Sequence, residues 1–372
     1  MRLFANPPLR LSLILLAMVV AMVAVIAFLP SRPKVSGLTP LTAMVEGVMG
    51  TETELTAVVP ADRQDIAQAA FHAAEAELRK VDALMSDYLA ASELSRFNAA
   101  PAGRGIPLSP PVMEVLKASR QAAQESDGAF DVTCRPLVTV WKQAGRQGKL
   151  PDARQIDAAR AMIGWRWVRL HESGAEKLKD GVEIDLGGIA KGYGVDRAAE
   201  AMQAAGCTGG LVRVGGDIRC FGPRAGGGSW RVGVRDPFHP SGEQIFATLA
   251  LNDQAVSTSG NYFRYVEIAG RRYSHIVDPR TGWTVDTAPS VTVIAPSSTL
   301  ADRWATALSV LGPDGFARLP QGAGIEAMMV VGTPGAHEIR QTVGFGKYLL
   351  TPVSLPAVQT APASAPAGTT GN

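Results

Sequence analysis

Asp302 and Thr306 stand four residues apart in ADRWATAL, a spacing that puts a carboxylate and a hydroxyl on one face of a helix. Two hard oxygens so placed suit a cation such as Mg²⁺, which completes its shell with water and phosphate oxygens. The same pair also suits a first-turn acid meeting the helix N-terminus and a threonine bonding back to its own helix. A second stretch, GVEIDLGGIAKGYGVDR (181–197), runs an apolar segment with Asp185 into Gly187-Gly188 and then into a helix with Lys191 in its first turn. Glycines there let backbone approach a ligand closely, and the unpaired N–H groups of a helix start favour an anion such as phosphate. A plain strand-to-helix connection with Asp185 as cap explains the same residues. The glycines do not have the dinucleotide spacing, and no phosphate-loop signature with Gly-Lys-Ser/Thr occurs.

His275 lies in SHIVDPRTG, at the end of a segment with strand alternation. An imidazole there can exchange protons near neutral pH, although Asp-Pro and Thr-Gly are also ordinary turn chemistry. Tyr88, Ser92, Glu93, Ser95, Arg96 and Asn98 crowd one polar loop, where an aromatic among hydrogen-bonding groups can stack on a flat ring. Asp127 and Asp131 flank the turn in DGAFD and can accept hydrogen bonds from ribose or ring edges, or simply terminate a helix.

The elements that must position these residues are legible from periodicity. Apolar residues at helical spacing predict a helix over 65–85, a second over about 110–125, a third over 151–162, a central one ending near Gly206, and one over about 300–311. Strands are expected around the Met49-Gly50-Thr51 turn, at 182–186, 165–170 and 211–214, and in a mostly β stretch over 230–295. That stretch includes a hairpin turning at Ala269-Gly270, and a last buried strand follows at 327–331. Residues 127–141 read as a turn with extended structure, and Gly215-Gly216-Asp217 as a turn after a strand.

The chain has 372 residues, room for one large domain or two ordinary ones. Its 36 basic residues nearly balance 34 acidic ones, so nucleic acid is not indicated as a partner. Charged residues make up 19%, while 39 Gly and 25 Pro favour a loop-rich, sheet-containing enzyme. Cys134, Cys207 and Cys220 form neither a disulfide framework nor a metal-binding spacing. Leu11 to Leu29 is an uncharged run of membrane-spanning length behind Arg2 and Arg10, which orients the N-terminus inward and the remainder outward. A cleaved signal peptide is the alternative. The expected organisation is therefore an anchor (or signal peptide) at 1–30, a linker at 31–42, one domain at 43–350, and an Ala/Pro/Thr-rich tail at 351–372 that cannot build a core.

Taken together and in order, eight segments resemble the ApbE family of FAD:protein FMN transferases: VMGT (48–51), MSDY…SELSRFN (85–98), DGAFDVT…PL (127–137), IDLGGIAKGY (184–193), GGD (215–217), STSGNY (257–262), HIVDPRTG (275–282) and ADRWATAL (301–308). The resemblance implies an α+β fold, related to the T-fold, of antiparallel sheets flanked by helices. It implies FAD as substrate, Mg²⁺ at its pyrophosphate, release of AMP, and attachment of FMN by a phosphoester to a threonine of an acceptor protein. On that resemblance Asp302, Thr306 and the Ala190 carbonyl would hold Mg²⁺. Tyr88, Ser92 and Glu93 would line the flavin site, with Met49, Asp127, Asp185, Lys191, Gly216 and Asp217 in the rest of the FAD site. His275 would be the catalytic base, also near FAD, and Lys191 would assist catalysis. Cys134-Arg135, Trp283-Thr284 and Arg303-Trp304 depart from the family pattern. The expected setting is the inner membrane, with the catalytic domain on its periplasmic side and a flavoprotein subunit of an electron-transfer system as acceptor. An FAD-storage protein and an FAD pyrophosphatase are the alternative readings.

Overall fold

A computed structural model of the chain describes residues 37–239, 244–260, 265–286 and 288–350. The expected anchor and the tail beyond residue 350 lie outside the described residues. Among those described, no helix is long and apolar enough to cross a membrane.

The first hairpin pairs β1 (Leu38–Val48) with β2 (Thr51–Pro60) around Met49 and Gly50, both at positive φ. Strand pairing thus begins at Leu38, inside the stretch expected to be linker. Pro40 is tolerated because β1 is the sheet edge. From there the chain makes α1 (Gln64–Met85), α2 (Glu93–Ala99), the short β3 (Ile106–Pro107) and α3 (Pro110–Glu125). Next come α4 (Arg135–Gln147), α5 (Ala153–Arg160), β4 (Val168–Leu170) and β5 (Gly174–Lys177), then the central helix α6 (Ala190–Ala204). Strands β6 (Gly209–Val214), β7 (Asp217–Phe221), β8 (Trp230–Arg235), β9 (Ile245–Leu251) and β10 (Ala255–Gly260) follow. The chain continues through β11 (Tyr265–Ile268), β12 (Arg271–Ser274), β13 (Ser290–Ala295) and α7 (Ser298–Leu311) to β14 (Glu326–Thr333) and β15 (Ala336–Gln341).

Eight of these strands form one antiparallel sheet in the order β1-β2-β6-β7-β10-β13-β14-β15. Its two faces follow the period-two rule. Val291, Val293, Ala295, Ala327 and Met329 pack toward α7 and α3, and Leu55, Ala57, Val59, Val212 and Val214 pack toward α1 and α6. Alternate residues, Val58, Cys220, Val256, Ile294, Met328 and Val330, sit under the β8–β9 hairpin. Strand β13 is buried on both faces, which explains its unbroken apolar and small-residue run. A small satellite core joins Leu137, Trp141, Ala144, Ile156, Ala159 and Ile163 to Ile268 and Val277, so α4, α5 and the β11–β12 hairpin form a lobe of their own.

Four expectations are corrected. Residues 135–147 are helical, because Pro136 fits a first helical turn and Leu137, Trp141 and Ala144 line one buried face. Residues 182–186 are extended but join no sheet. Instead the Asn98 side chain accepts from the Ile184 N–H and donates to its carbonyl, both at 2.8 Å, and Asp185 N–H donates to Val132 O. One amide side chain thus takes the place of a neighbouring strand. The strand expected from Trp165 opens as a 3₁₀ turn through Trp167. Strand β15 was not anticipated, since its half-exposed, charge-rich sequence carries no apolar run.

Candidate active site

Helices α6 and α7 meet where Gly192 faces Ser298 and Asp302. A Cβ on Gly192 would stand 2.8 Å from the Asp302 Cβ and would collide with the Ser298 carbonyl, so only glycine allows this approach. Each helix caps the other. Asp302 accepts the Gly192 N–H near the start of α6 at 3.0 Å. Asp196, on α6, accepts the Ser298 and Thr299 N–H groups at the start of α7, both at 2.8 Å, and pairs with Arg219 at 2.8 Å. Asp302 is therefore not a first-turn cap of its own helix. That work falls to Asp196 and to Ser297, whose hydroxyl accepts from Leu300 N–H.

Freed from capping α7, Asp302 shares a cation. The Lys191 ammonium lies 2.7 Å from Asp217 Oδ2 and 3.3 Å from Asp302 Oδ2. Asp217 opens β7 and is paired in register with Ser257 on β10, whose hydroxyl donates to its Oδ1. Both carboxyl groups are 2% exposed, so two acids stand in a dry site beside one ammonium. Burial raises the Asp302 carboxyl well above the ordinary carboxylate range; Asp217 adds to the rise, while Lys191 and the Gly192 amide oppose it. Burial works against the charge on Lys191, yet Asp217 and Asp302 outweigh it and hold that amine above its usual value.

Two acids beside a single ammonium fit a divalent cation, whose charge would favour their ionised forms. Thr306, one turn beyond Asp302, places its Oγ1 against the glycine turn, 3.0 Å from where a Cβ on Gly188 would stand, with Phe130 closing the other side. Asp302, Thr306 and the Ala190 carbonyl at the start of α6 are all hard oxygen donors, the chemistry of Mg²⁺. Among the described residues no cluster of three or more His, Cys, Asp or Glu could hold a metal. A Mg²⁺ at this place would thus have to complete its shell with water and phosphate oxygens.

Of the remaining residues singled out from sequence, Asp185, Gly216 and Met49 adjoin the elements that build this centre. Asp185 Oδ1 accepts the Gly187 N–H at 2.8 Å and shapes the glycine turn. Gly216 precedes Asp217 and lies against the Thr258 backbone too closely for a Cβ. Met49 reaches from the first hairpin to Gly194 on α6. Ser92 caps α2 by accepting from Ser95 N–H and donates to Ser86 O, and Glu93 accepts the Ser109 N–H at 2.7 Å. Tyr88, Asp127 and His275 come from three other loops, all exposed. Tyr88 is 81% exposed under the Lys142 ammonium, Asp127 pairs with Arg318 at 3.1 Å, and His275 follows the last residue of β12.

The sequence profile of the ApbE family matches residues 49–329. The chain belongs to the ApbE family. It is 31% identical to the FAD:protein FMN transferase of Escherichia coli K12 over 284 residues, covering 74% of this chain and 81% of the relative. It is 34% identical to a Klebsiella pneumoniae protein of the same name over 264 residues, 69% of this chain and 75% of the relative. The flavin transferase ApbE from Vibrio cholerae superposes with a TM-score of 0.72 at 28% identity, covering 84% of this chain and all of that one. The ApbE protein of Thermotoga maritima gives 0.73 at 29% identity, over 83% of this chain and 99% of its own. The mixed fold of antiparallel sheets and helices is thus that of ApbE structures.

Three members of the centre were not singled out from sequence. Ser257 lay in the STSGNY motif without a role, Arg219 carried no local signal, and Asp196 stood inside GYGVDR as an ordinary helical acid. Asp196 sits one turn beyond Gly192 on the face that meets α7, and that face is knowable only once the two helices are packed.

Proposed function

We propose that this chain is an FAD:protein FMN transferase that cleaves FAD, releases AMP and leaves FMN esterified to a threonine of an acceptor protein. The observation that carries the reading is Lys191 held between buried Asp217 and Asp302 beside the Gly187-Gly188 turn. Phosphoryl transfer asks a protein mainly to hold the reacting oxygens in line and to neutralise charge on the phosphate. The glycine turn and the amides opening α6 would face the FAD pyrophosphate, and Lys191 would offer its ammonium to the same oxygens. Asp302, Thr306 and the Ala190 carbonyl would hold a Mg²⁺, which would add to the neutralisation of that charge. In the transfer, the threonine oxygen bonds to the FMN phosphorus, the pyrophosphate linkage breaks, and AMP leaves with the bridging oxygen. His275 takes the proton from the threonine hydroxyl.

Tyr88 and helix α2 with its Ser92 cap would bound the isoalloxazine ring. The membrane anchor, an extracytoplasmic catalytic domain and an acceptor from an electron-transfer system complete the proposal, supported by the apolar run 11–29 and its basic flank. The test incubates the protein with FAD and Mg²⁺, with and without a threonine-bearing acceptor domain from a flavinylated protein. AMP and protein-bound flavin appearing together support transfer; FAD bound but intact means storage; AMP without labelled protein means hydrolysis. Asp302→Ala is expected to lower turnover at limiting Mg²⁺ by at least about a hundredfold, the scale on which removing one charge-stabilising group acts. Unchanged turnover under that condition would remove Asp302 from the metal site.

A further inference from the structure

The lobe of α4, α5 and the β11–β12 hairpin has a charge unlike the rest of the chain. Residues 135–160 and 265–274 hold eight Lys or Arg against three Asp or Glu, leaving 28 basic against 31 acidic elsewhere. Lys142, Arg146, Lys149, Arg154, Arg271 and Arg272 are all exposed. Lys142, Arg146, Gly145, Val266 and Glu267 line a shallow notch of about 260 Å³ where the hairpin crosses α4. Aromatic surface lies among these cations: Trp283 is 46% exposed and edges onto Trp141 of α4, and Tyr265 is 40% exposed under Arg272. Exposed aromatic residues with Arg at their rim are the composition of a protein interface.

This lobe also borders each exposed loop assigned to the reaction. Lys142 stands over the Tyr88 ring at 5.7 Å. Arg160 donates to the Arg280 carbonyl, and Arg280 lies against Gly128 beside Asp127. Strand β12 leads directly into His275. A protein bringing a threonine to His275 must therefore rest on or beside this basic surface.

We propose that the α4–α5–hairpin lobe is the docking surface for the acceptor protein, and that the acceptor presents acidic residues beside its target threonine. The proposal rests on the transferase reading. Charge complementarity of this kind sets encounter rate and register, and the exposed cations make it sensitive to salt.

The experiment measures binding of a dye-labelled, threonine-bearing peptide with Asp and Glu flanks to the full-length protein in detergent. The same peptide with Lys flanks and vesicles containing anionic phosphatidylserine are run beside it. The acidic peptide should bind and weaken with salt, and the double variant Arg146→Glu/Arg272→Glu should weaken it by about tenfold or more. FAD binding, followed by flavin fluorescence, should be the same in variant and wild type, which also shows that the variant folds. Equal affinity for the two peptides, or no effect of the double variant, would overturn the proposal. So would vesicle binding that the variant abolishes while peptide binding persists, since the lobe would then face lipid. Failure of the wild-type protein to bind FAD would refute the transferase reading itself, an outcome separate from all of these.

Discussion

Among the described residues, Lys191 is the one cation seated between Asp217 and Asp302, and removing a single partner from a buried charge set leaves the others uncompensated. Lys191→Met should therefore destabilise the protein by about 3 kcal/mol or more in the absence of metal. With the ammonium gone, Asp302 no longer shares its charge with a lysine, and the site it forms with Thr306 and the Ala190 carbonyl would attract a divalent cation more strongly. Added Mg²⁺ should then raise the melting temperature of the variant by more than that of wild type. A smaller Mg²⁺ response in the variant would separate the lysine from the metal site. His275 is exposed, whereas Lys191 and its carboxylates are largely enclosed, and as the proposed base it would act on the reacting hydroxyl more than on nucleotide affinity. His275→Ala should lower the rate of transfer by about a hundredfold, within the usual range for a general base, with little change in FAD affinity. Comparable losses in rate and affinity would make it a binding residue.

At the scale of elements, the two helices of the proposed site, α6 and α7, are registered by reciprocal caps. Buried Asp196 accepts two N–H groups and the Thr299 hydroxyl from α7 and also holds half-buried Arg219. Asp196→Ala strips α7 of these charge-assisted bonds at once and should cost about 3 kcal/mol of unfolding free energy by denaturant titration. Ser297→Ala removes only the local cap and should cost about 1 kcal/mol. Equal losses would mean that Asp196 acts as an ordinary cap and does not join the helices. Asn98 of α2 likewise bridges two segments, holding residues 182–186 extended where a strand was expected. Periodicity cannot separate that arrangement from a strand, because in both the backbone is extended and every second side chain is buried.

Across the whole molecule, the sheet with α1, α6 and α7 forms the scaffold, and the α4–α5–hairpin lobe keeps a small core of its own. Separate cores open separately, so amide hydrogen exchange in β11 and β12 should run ahead of that in β13, which is paired on both sides and buried on both faces. Uniform protection would mean that the lobe is cooperative with the sheet. The sequence alone determined the helices with a clear apolar stripe, the hairpin turns at Met49-Gly50 and Ala269-Gly270, and the placing of Asp302 and Thr306 on one face. Each of these depends on neighbours within a few residues along the chain. Only the tertiary structure decided that Lys191 answers two carboxylates from distant segments, that Asp196 of one helix caps the other, and that 135–147 coils into a helix against a hairpin more than a hundred residues away. Those outcomes depend on sheet register and on how closely Gly192 lets two helices approach, and no local pattern of residues encodes such distances.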